Sequence, residues 1–443
     1  MSKLSIIEGD ENYVATIVNL PELKKVEGLD NLMVATVFGY NCLVWKDSNP
    51  DVMYVFFPAE CELSKKFLQL NNLYRHSELN EDKTIKGFFD DNGRVRAVKF
   101  KGVVSSGFII PVDSLGHVVW FWDAYSLQGW ETFHIMEGIE ICKKYRNPET
   151  LRRIAHDAKL WIKKPKYDRV IPTQFRLHTS TPQFLRFIND FNEGDRIVIT
   201  EKLHGTSAVF SNVLTKVKLW WKQKLAKVFN IGIKETEYFP LYSSRTVIKN
   251  KDVNPNQPNE GYYWEDVWWQ YAKLLEWRIE KWITLYWEIV GYTVWGQQIQ
   301  KGYTYGCEKW ESKFYVYRIT STTPDGIVIE FTDSQILQYC RIRGINVVPK
   351  IADFIYNEWM TEFLEKYPKL LKWREWLNFW DGWLLNDIEV MCPMNEGKVP
   401  REWVVIRRDG QETFSAYKLK SQLFLGYETK QLDEGVPDTE ENS

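Results

Sequence analysis

The sequence contains no apolar run of the roughly 18 residues that a membrane-spanning helix needs. Its first residues, MSKLSIIEGDENY, lack the apolar core of a secretory signal, so a cytoplasmic location with no membrane attachment is expected. There is no basic excess either. The 57 Lys and Arg stand against 59 Asp and Glu, a net charge of -2, so any surface for phosphate backbones must be local. The six cysteines (Cys42, Cys61, Cys142, Cys307, Cys340, Cys392) form no CxxC pair. That argues against a structural zinc site and fits reduced thiols. The six histidines show no metal-ligand spacing, and no internal repeat is visible.

What is present is apolar and aromatic. Hydrophobic residues make up 44% of the 443 positions, enough to bury a large core, and the length predicts two domains with insertions. Tryptophan is abundant, with 21 copies. Most of these are expected in the core, although an indole can also stack on a base.

Residues 1–125 read as short strands. Tyr13 to Val18, Leu32 to Phe38, Val52 to Phe57, Arg94 to Lys101 and Gly107 to Pro111 are rich in Val, Ile, Tyr and Phe, with turn residues between them. This pattern predicts a small β-barrel or sandwich. Residues 126–169 read as a helical connector with mixed apolar spacing at Trp130, Phe133, Ile135, Ile139 and Ile141, ending in the linker Lys163 to Asp168. Residues 170–430 alternate strands with helices, which predicts an α+β domain. Residues 431–443 form an acidic tail expected to be disordered. Within the second region, Lys216 to Lys234 holds six lysines and no acid around Trp220 and Trp221. A phosphate-tracking surface and a solvated helix face both fit that composition. The Trp-rich segment Asp353 to Trp383 is expected to be helical and packed.

The strongest local signal is Thr200-Glu201-Lys202-Leu203-His204-Gly205-Thr206-Ser207, after the β-like run Arg196 to Thr200. A free lysine titrates near about 10.4, so its use as a nucleophile requires loss of its proton. Gly205 would let backbone approach a phosphate closely. Further strings follow in order: Ser243-Ser244-Arg245-Thr246, Leu285 to Gly291 around Glu288, Lys313 to Ile319 with Tyr315 and Tyr317, Arg401 to Arg407 with Glu402, and Ala416-Tyr417-Lys418-Leu419-Lys420-Ser421.

Taken together, these strings resemble the ordered motifs of the covalent nucleotidyltransferase superfamily. The lysine motif is in the variant with His in its third place that RNA ligases often show. The N-terminal Val95 to Phe108 resembles the OB-like module that precedes the catalytic domain in a subset of ATP-dependent RNA ligases. The resemblance implies an OB-like barrel followed by a nucleotidyltransferase (ATP-grasp-like ligase) domain. It implies Lys202 as the nucleophile that takes AMP from ATP. It implies Glu201 on the adenine, Arg245, Lys418 and Lys420 on the phosphates, Glu288 on the ribose, and His204 and Gly205 as parts of the lysine motif. Tyr317 is preferred to Tyr315 as the ring that stacks on adenine. Glu402 would help hold Mg²⁺ or Mn²⁺, since hard carboxylate oxygens suit such cations.

One departure stands out. The motif that contains Glu402 usually has Gly next, and here Trp403 stands there. Glu396-Gly397 offers the usual dipeptide, but Pro400 separates it from the β-run that Glu402 opens, so Glu402 is preferred. The long spacing from Lys202 to Arg245 is explained by the Lys-rich insertion.

The implied activity joins a 3′-OH to a 5′-phosphate in RNA or an RNA-containing duplex, by a monomer. DNA ligases and capping guanylyltransferases share the lysine chemistry, but they usually carry Asp where His204 stands and place their OB domain last. A silent nucleic-acid-binding protein is the remaining reading, and the intact Lys202, Glu288, Lys418 and Lys420 argue against it. Arg94, Arg96, Lys99 and Lys101 are candidates for an N-terminal nucleic-acid face. A form starting near residue 170 is expected to keep adenylation of Lys202 while losing much of its sealing.

Overall fold

The computed structural model describes residues 3–26, 28–120, 123–124, 126–148, 150–152, 169–187, 190–217, 234–251, 253, 263, 265–356 and 390–435. The linker Lys163 to Asp168, most of the Lys216 to Lys234 cluster, the segment from Trp359 to Trp383 and the end of the acidic tail lie outside these residues.

The N-terminal region is built from short antiparallel strands: β1 (Leu4–Ser5), β2 (Ala15–Asn19), β3 (Leu32–Val37), β4 (Tyr40–Trp45), β5 (Met53–Pro58), β6 (Cys61–Leu63), β7 (Val98–Phe100), β8 (Val103–Ser105) and β9 (Gly107–Pro111), with helices α1 (Lys65–Leu70) and α2 (Asp113–Gly116). Four more strands follow: β10 (Thr132–Phe133), β11 (Ile135–Met136), β12 (Ile139–Glu140) and β13 (Cys142–Lys144). The largest sheet has the order β10-β2-β5-β9, and its two edges do not pair with each other. Among the described residues the strands form several small sheets and no closed barrel, so the expected OB-like barrel is not shown.

The helical connector is corrected in its described part. Strands β10 to β13 pair back onto β2, β1 and β6, so residues up to Lys144 belong with the N-terminal region. The physical reason lies in Glu137-Gly138. Both have positive φ, 49° and 77°, which is the geometry of a tight two-residue hairpin, and it joins β11 to β12. The mixed spacing of Phe133, Ile135, Ile139 and Ile141 is thus strand alternation on either side of a turn.

The second region holds two facing sheets. The five-stranded sheet has the order β16-β15-β17-β18-β19, from β15 (Thr206–Lys216), β16 (Thr236–Ser243), β17 (Ile283–Gly291), β18 (Ser312–Thr322) and β19 (Val328–Glu330). Its outer face presents Ala208, Phe210, Leu285, Trp287, Ile289, Phe314 and Val316 to α3 (Val267–Leu275) and α4 (Asp333–Arg343). The helix α4 starts at a capping box of Thr332 and Gln335 and ends at Gly344 in the left-handed region. The four-stranded sheet has the order β20-β14-β21-β22, from β14 (Arg196–Lys202), β20 (Lys350–Ile355), β21 (Trp403–Asp409) and β22 (Ala416–Lys420). Its back face buries Ile197, Ile199, Val404, Ile406, Tyr417 and Leu419 against Phe184, Leu185 and Phe191. Burial of each such side chain stabilises by roughly 1.5–3 kcal/mol. This leaves the alternate residues of β14, β21 and β22 facing the first sheet.

The chain returns to its N-terminal region through α5 (Gln422–Asp433), which follows β22 directly and is capped by the Ser421 hydroxyl. Leu425 of α5 is buried in the N-terminal core beside Val37, Tyr40, Phe56 and Ile109. The acidic tail expected from residue 431 is corrected here as well. Asp433 ends this helix and accepts bonds from Arg94 at 2.8 Å and Arg96 at 2.5 Å. Arg94 is itself buried and bonded twice to Glu60, and Arg96 also meets Asp90. Of the four basic candidates in the N-terminal region, only Lys99 and Lys101 remain exposed.

Candidate active site

The two sheets enclose a cleft lined by residues of both. One wall is the front face of the four-stranded sheet: Val198, Thr200 and Lys202 of β14, Trp403, Val405 and Arg407 of β21, and Ala416 and Lys418 of β22. They share a face because β14 pairs with β21 and β21 with β22 in register, Thr200 opposite Val405 opposite Lys418. The other wall is Ser207 of β15, Glu288 of β17 and Tyr317 and Arg318 of β18, with Arg245 and the segment His178 to Thr181.

Lys202 lies at the end of β14, and its Nζ is 2.9 Å from Glu402 Oε1. Glu402 is buried, and the same oxygen lies 3.4 Å from His204 Nδ1. The His204 ring packs edge-on against Tyr303 and Phe424, and its backbone N–H donates to the Tyr305 hydroxyl at 2.6 Å. Glu201 is buried, 3.6 Å from Arg401 Nε. It accepts from the Cys392 thiol at 3.4 Å. Burial and the adjacent Glu201 push that thiol up to about 11, so it is a donor at neutral pH.

Glu288 faces Ser207 across β15 and β17 and accepts a hydrogen bond from its hydroxyl at 3.0 Å. Tyr317 sits where the pairing of β17 and β18 slips by one residue, between Tyr286↔Arg318 and Trp287↔Val316. Tyr317 and, past the bulge, Arg318 stand in the cleft wall, whereas Tyr315 is outside it. The Tyr317 hydroxyl meets His178 Nδ1 at 2.8 Å, and burial together with the Glu288 charge raises its pKa. Arg245 donates to the Ser180 hydroxyl at 3.1 Å.

The structure therefore brings Lys202, Glu201, Arg245, Glu288, Tyr317 and Lys418 into one cleft lining, with Glu402 touching Lys202. It does not bring in Gly205, His204 or Lys420, which stand beside the cleft outside its lining. Gly205 is needed for a different approach than the expected one. A Cβ there would come within 2.2 Å of the Ile289 carbonyl, so it is strand β17 that comes close. Lys420 is buried and held by Glu428 at 2.7 Å. Burial opposes its charge, but Glu428, with Tyr13 and Tyr40, outweighs that and raises its pKa. Glu396 is exposed and paired with Lys398.

Sequence reasoning missed His178, Thr179 and Thr181, which lie in no recognisable string. It also missed Arg318, held between Tyr286 and Phe414 and paired with Glu330. Among the described residues no group of three or more His, Cys, Asp or Glu could hold a metal alone. Magnesium is commonly bound through one or two carboxylates together with substrate phosphates, and a buried Glu402 beside Lys202 fits that donor set.

No protein-family model and no curated protein matches the sequence. Among solved structures the chain is similar to Naegleria gruberi RNA ligase. A mutant with AMP and Mn matches at 14% identity and a TM-score of 0.55, over 93% of this chain and 98% of that one. A mutant with ATP and Mn matches at 15% identity and 0.55, over 97% and 99%. The ligase with PPi matches at 15% identity and 0.54, over 95% and 98%. The chain has the fold of these RNA ligases.

Proposed function

We propose that this chain is an ATP-dependent polynucleotide ligase acting on RNA. The observation that carries the reading is the single cleft where Lys202, Arg245, Glu288, Tyr317 and Lys418 converge, with Glu402 against Lys202. Support comes from the shared fold with RNA ligases whose structures hold ATP, AMP or PPi.

In the first step Lys202 Nζ, having lost its proton, forms a bond to the α-phosphorus of ATP. The bond to the bridging oxygen breaks and pyrophosphate leaves. Arg245 and Lys418 neutralise the departing charge, since phosphoryl transfer is mostly positioning and charge compensation. Glu288 orients the ribose, Tyr317 stacks on the adenine, and Glu201 contacts its edge. Glu402 would hold Mg²⁺ or Mn²⁺, which supplies further charge neutralisation at the phosphates when bound. In the second step the AMP passes from Lys202 to a 5′-phosphate end. In the third, a 3′-OH attacks that phosphate and AMP leaves.

The test is incubation with labelled ATP or GTP followed by denaturing electrophoresis. Label from ATP on the intact chain is expected. Label from GTP alone points to capping chemistry, and no label from either excludes covalent transfer.

The metal-side carboxylate gives a sharper contrast. Glu402→Ala is expected to lose sealing by at least about a hundredfold, as for loss of a charged group that acts on the transferring phosphate. Glu396→Ala, on the surface, should seal within about twofold of the parent. An inactive Glu396→Ala beside an active Glu402→Ala would reverse the assignment.

For the substrate, a nick in a duplex with an RNA 3′-OH end is expected to be sealed faster than free single strands. The terminal 2′-OH is the group that tells RNA from DNA at one position. Lys99 and Lys101 on the β7–β8 hairpin are exposed cations that the N-terminal region can offer to phosphates. Nicks that differ only in the terminal sugar, measured at several salt concentrations, check this. Affinity should fall as salt rises, with a log–log slope of roughly 0.9 per phosphate neutralised. Equal sealing of RNA and DNA 3′ ends, or faster joining of single strands, overturns the substrate.

A further inference from the structure

Trp403 stands directly between two lysines of the site. Across the sheet it is the register partner of Lys202 on β14 and of Lys420 on β22. Directly opposed residues of antiparallel strands lie on one face. The centre of its ring is 4.8 Å from Lys202 Nζ, 4.4 Å from Lys418 Nζ and 4.5 Å from Lys420 Nζ. Each distance is inside the roughly 6 Å at which an indole face attracts a cation, and Trp is the strongest of the aromatic residues in this respect. Three ammonium groups brought this close repel one another. Glu402 and Glu428 offset part of that repulsion, on Lys202 and Lys420 respectively. The ring is within reach of all three.

Packing alone does not account for a tryptophan here. Trp403 is 7% exposed, and its indole N–H has no hydrogen-bond partner among the described residues. A buried N–H left unmet is costly, and Phe or Leu would fill the position without that cost. What Trp offers in exchange is the ring face.

We propose that Trp403 is a positioning residue whose ring gathers the ammonium groups of Lys202 and Lys418 in the cleft, with Lys420 beside it, so that the nucleophile and its neighbouring lysines are already clustered when a nucleoside triphosphate enters. This rests on the ATP-dependent reading of the same cleft. The role is set by a face and not by volume, so variants of similar apolar character separate it from packing.

The experiment uses the full chain with Trp403→Leu and Trp403→Phe. Transfer of label from ATP to Lys202 is followed over a range of ATP concentrations. Binding of a non-hydrolysable ATP analogue is measured by calorimetry, and melting temperatures are recorded. Trp403→Leu is expected to raise the ATP concentration for half-maximal labelling, and to weaken analogue binding, by roughly tenfold, with Trp403→Phe within about threefold of the parent. Both variants should melt close to the parent. If Leu and Phe behave alike in both assays, or if Leu is as good as Trp, the positioning role is overturned while labelling of the parent upholds the ATP reading. If the parent neither binds the analogue nor labels, the ATP reading fails and this role falls with it.

Discussion

Lys202→Ala is expected to abolish transfer of label from ATP, and Lys202→Arg to be equally dead. The amine is the group that forms the bond to phosphorus, so no neighbour can replace it at that position. Arginine keeps the charge and could keep the contact with Glu402, but a guanidinium stays protonated and cannot attack. The pair of variants thus separates nucleophile from cation. A role in charge alone would leave Lys202→Arg partly active. The control is nucleotide binding: Arg245, Glu288, Tyr317 and Lys418 line the rest of the cleft, so Lys202→Ala should still bind an ATP analogue within about tenfold of the parent. Sealing of a strand that already carries a 5′-adenylate bypasses the first step, and Lys202→Ala should retain part of that activity. Full labelling of Lys202→Ala would move the nucleophile elsewhere.

The site was legible in the sequence wherever a motif lies on one strand. Lys202, Glu288, Glu402 and Lys418 each sit within or at the end of a β-run that alternation makes visible, and the fold places these runs side by side. What the sequence hides is set by neighbours across the sheet. Arg318 looks by alternation as if it faced away from Tyr317, and it is the slip in pairing against Tyr286 and Trp287 that lets both line the cleft. Trp403 reads as a departure from a motif, and its contact with three lysines exists only once β14, β21 and β22 are in register. His178 reaches Tyr317 from a segment with no periodicity at all. The same reason explains the N-terminal errors. The strand Tyr40–Trp45 follows the tight turn Phe38-Gly39, both at positive φ, and was missed because that turn carries none of the Asp, Asn or Pro residues that mark the other turns. The charges on Arg94 and Arg96 looked like a surface for phosphate because their acidic partners, Glu60, Asp90 and Asp433, are scattered through the sequence.

Those partners carry the other large effect. Arg94→Ala, outside the cleft lining, is expected to destabilise the whole chain and to reduce transfer of AMP. The guanidinium is 1% exposed in its side chain and bonds Glu60 at 2.7 and 2.8 Å, Asp433 at 2.8 Å and the Thr429 carbonyl at 3.3 Å. Glu60 also accepts from the Thr429 hydroxyl at 2.7 Å. Removing one member of a buried ion pair strands the other, at a cost of about 3–5 kcal/mol. The consequence for the cleft runs along the chain. Thr429 and Asp433 belong to α5, whose first turn follows Lys420 at once and whose Glu428 holds the Lys420 ammonium. Leu425 of the same helix is buried among N-terminal residues. The N-terminal region is therefore a support for β22 and its lysines, and a form starting near residue 170 would leave Leu425 and Thr429 without their packing. Such a form is now expected to lose transfer of AMP to Lys202, contrary to the reading of two independent modules. Melting curves and ATP labelling of Arg94→Ala, of the truncated form and of the paired swap Glu60→Leu with Arg94→Met test this together. The paired swap should recover much of the stability, since apolar replacement of a whole buried pair is often neutral or better. If Arg94→Ala melts like the parent, or if the truncated form labels at the parent's rate, α5 does not depend on the N-terminal region and the catalytic sheets stand alone.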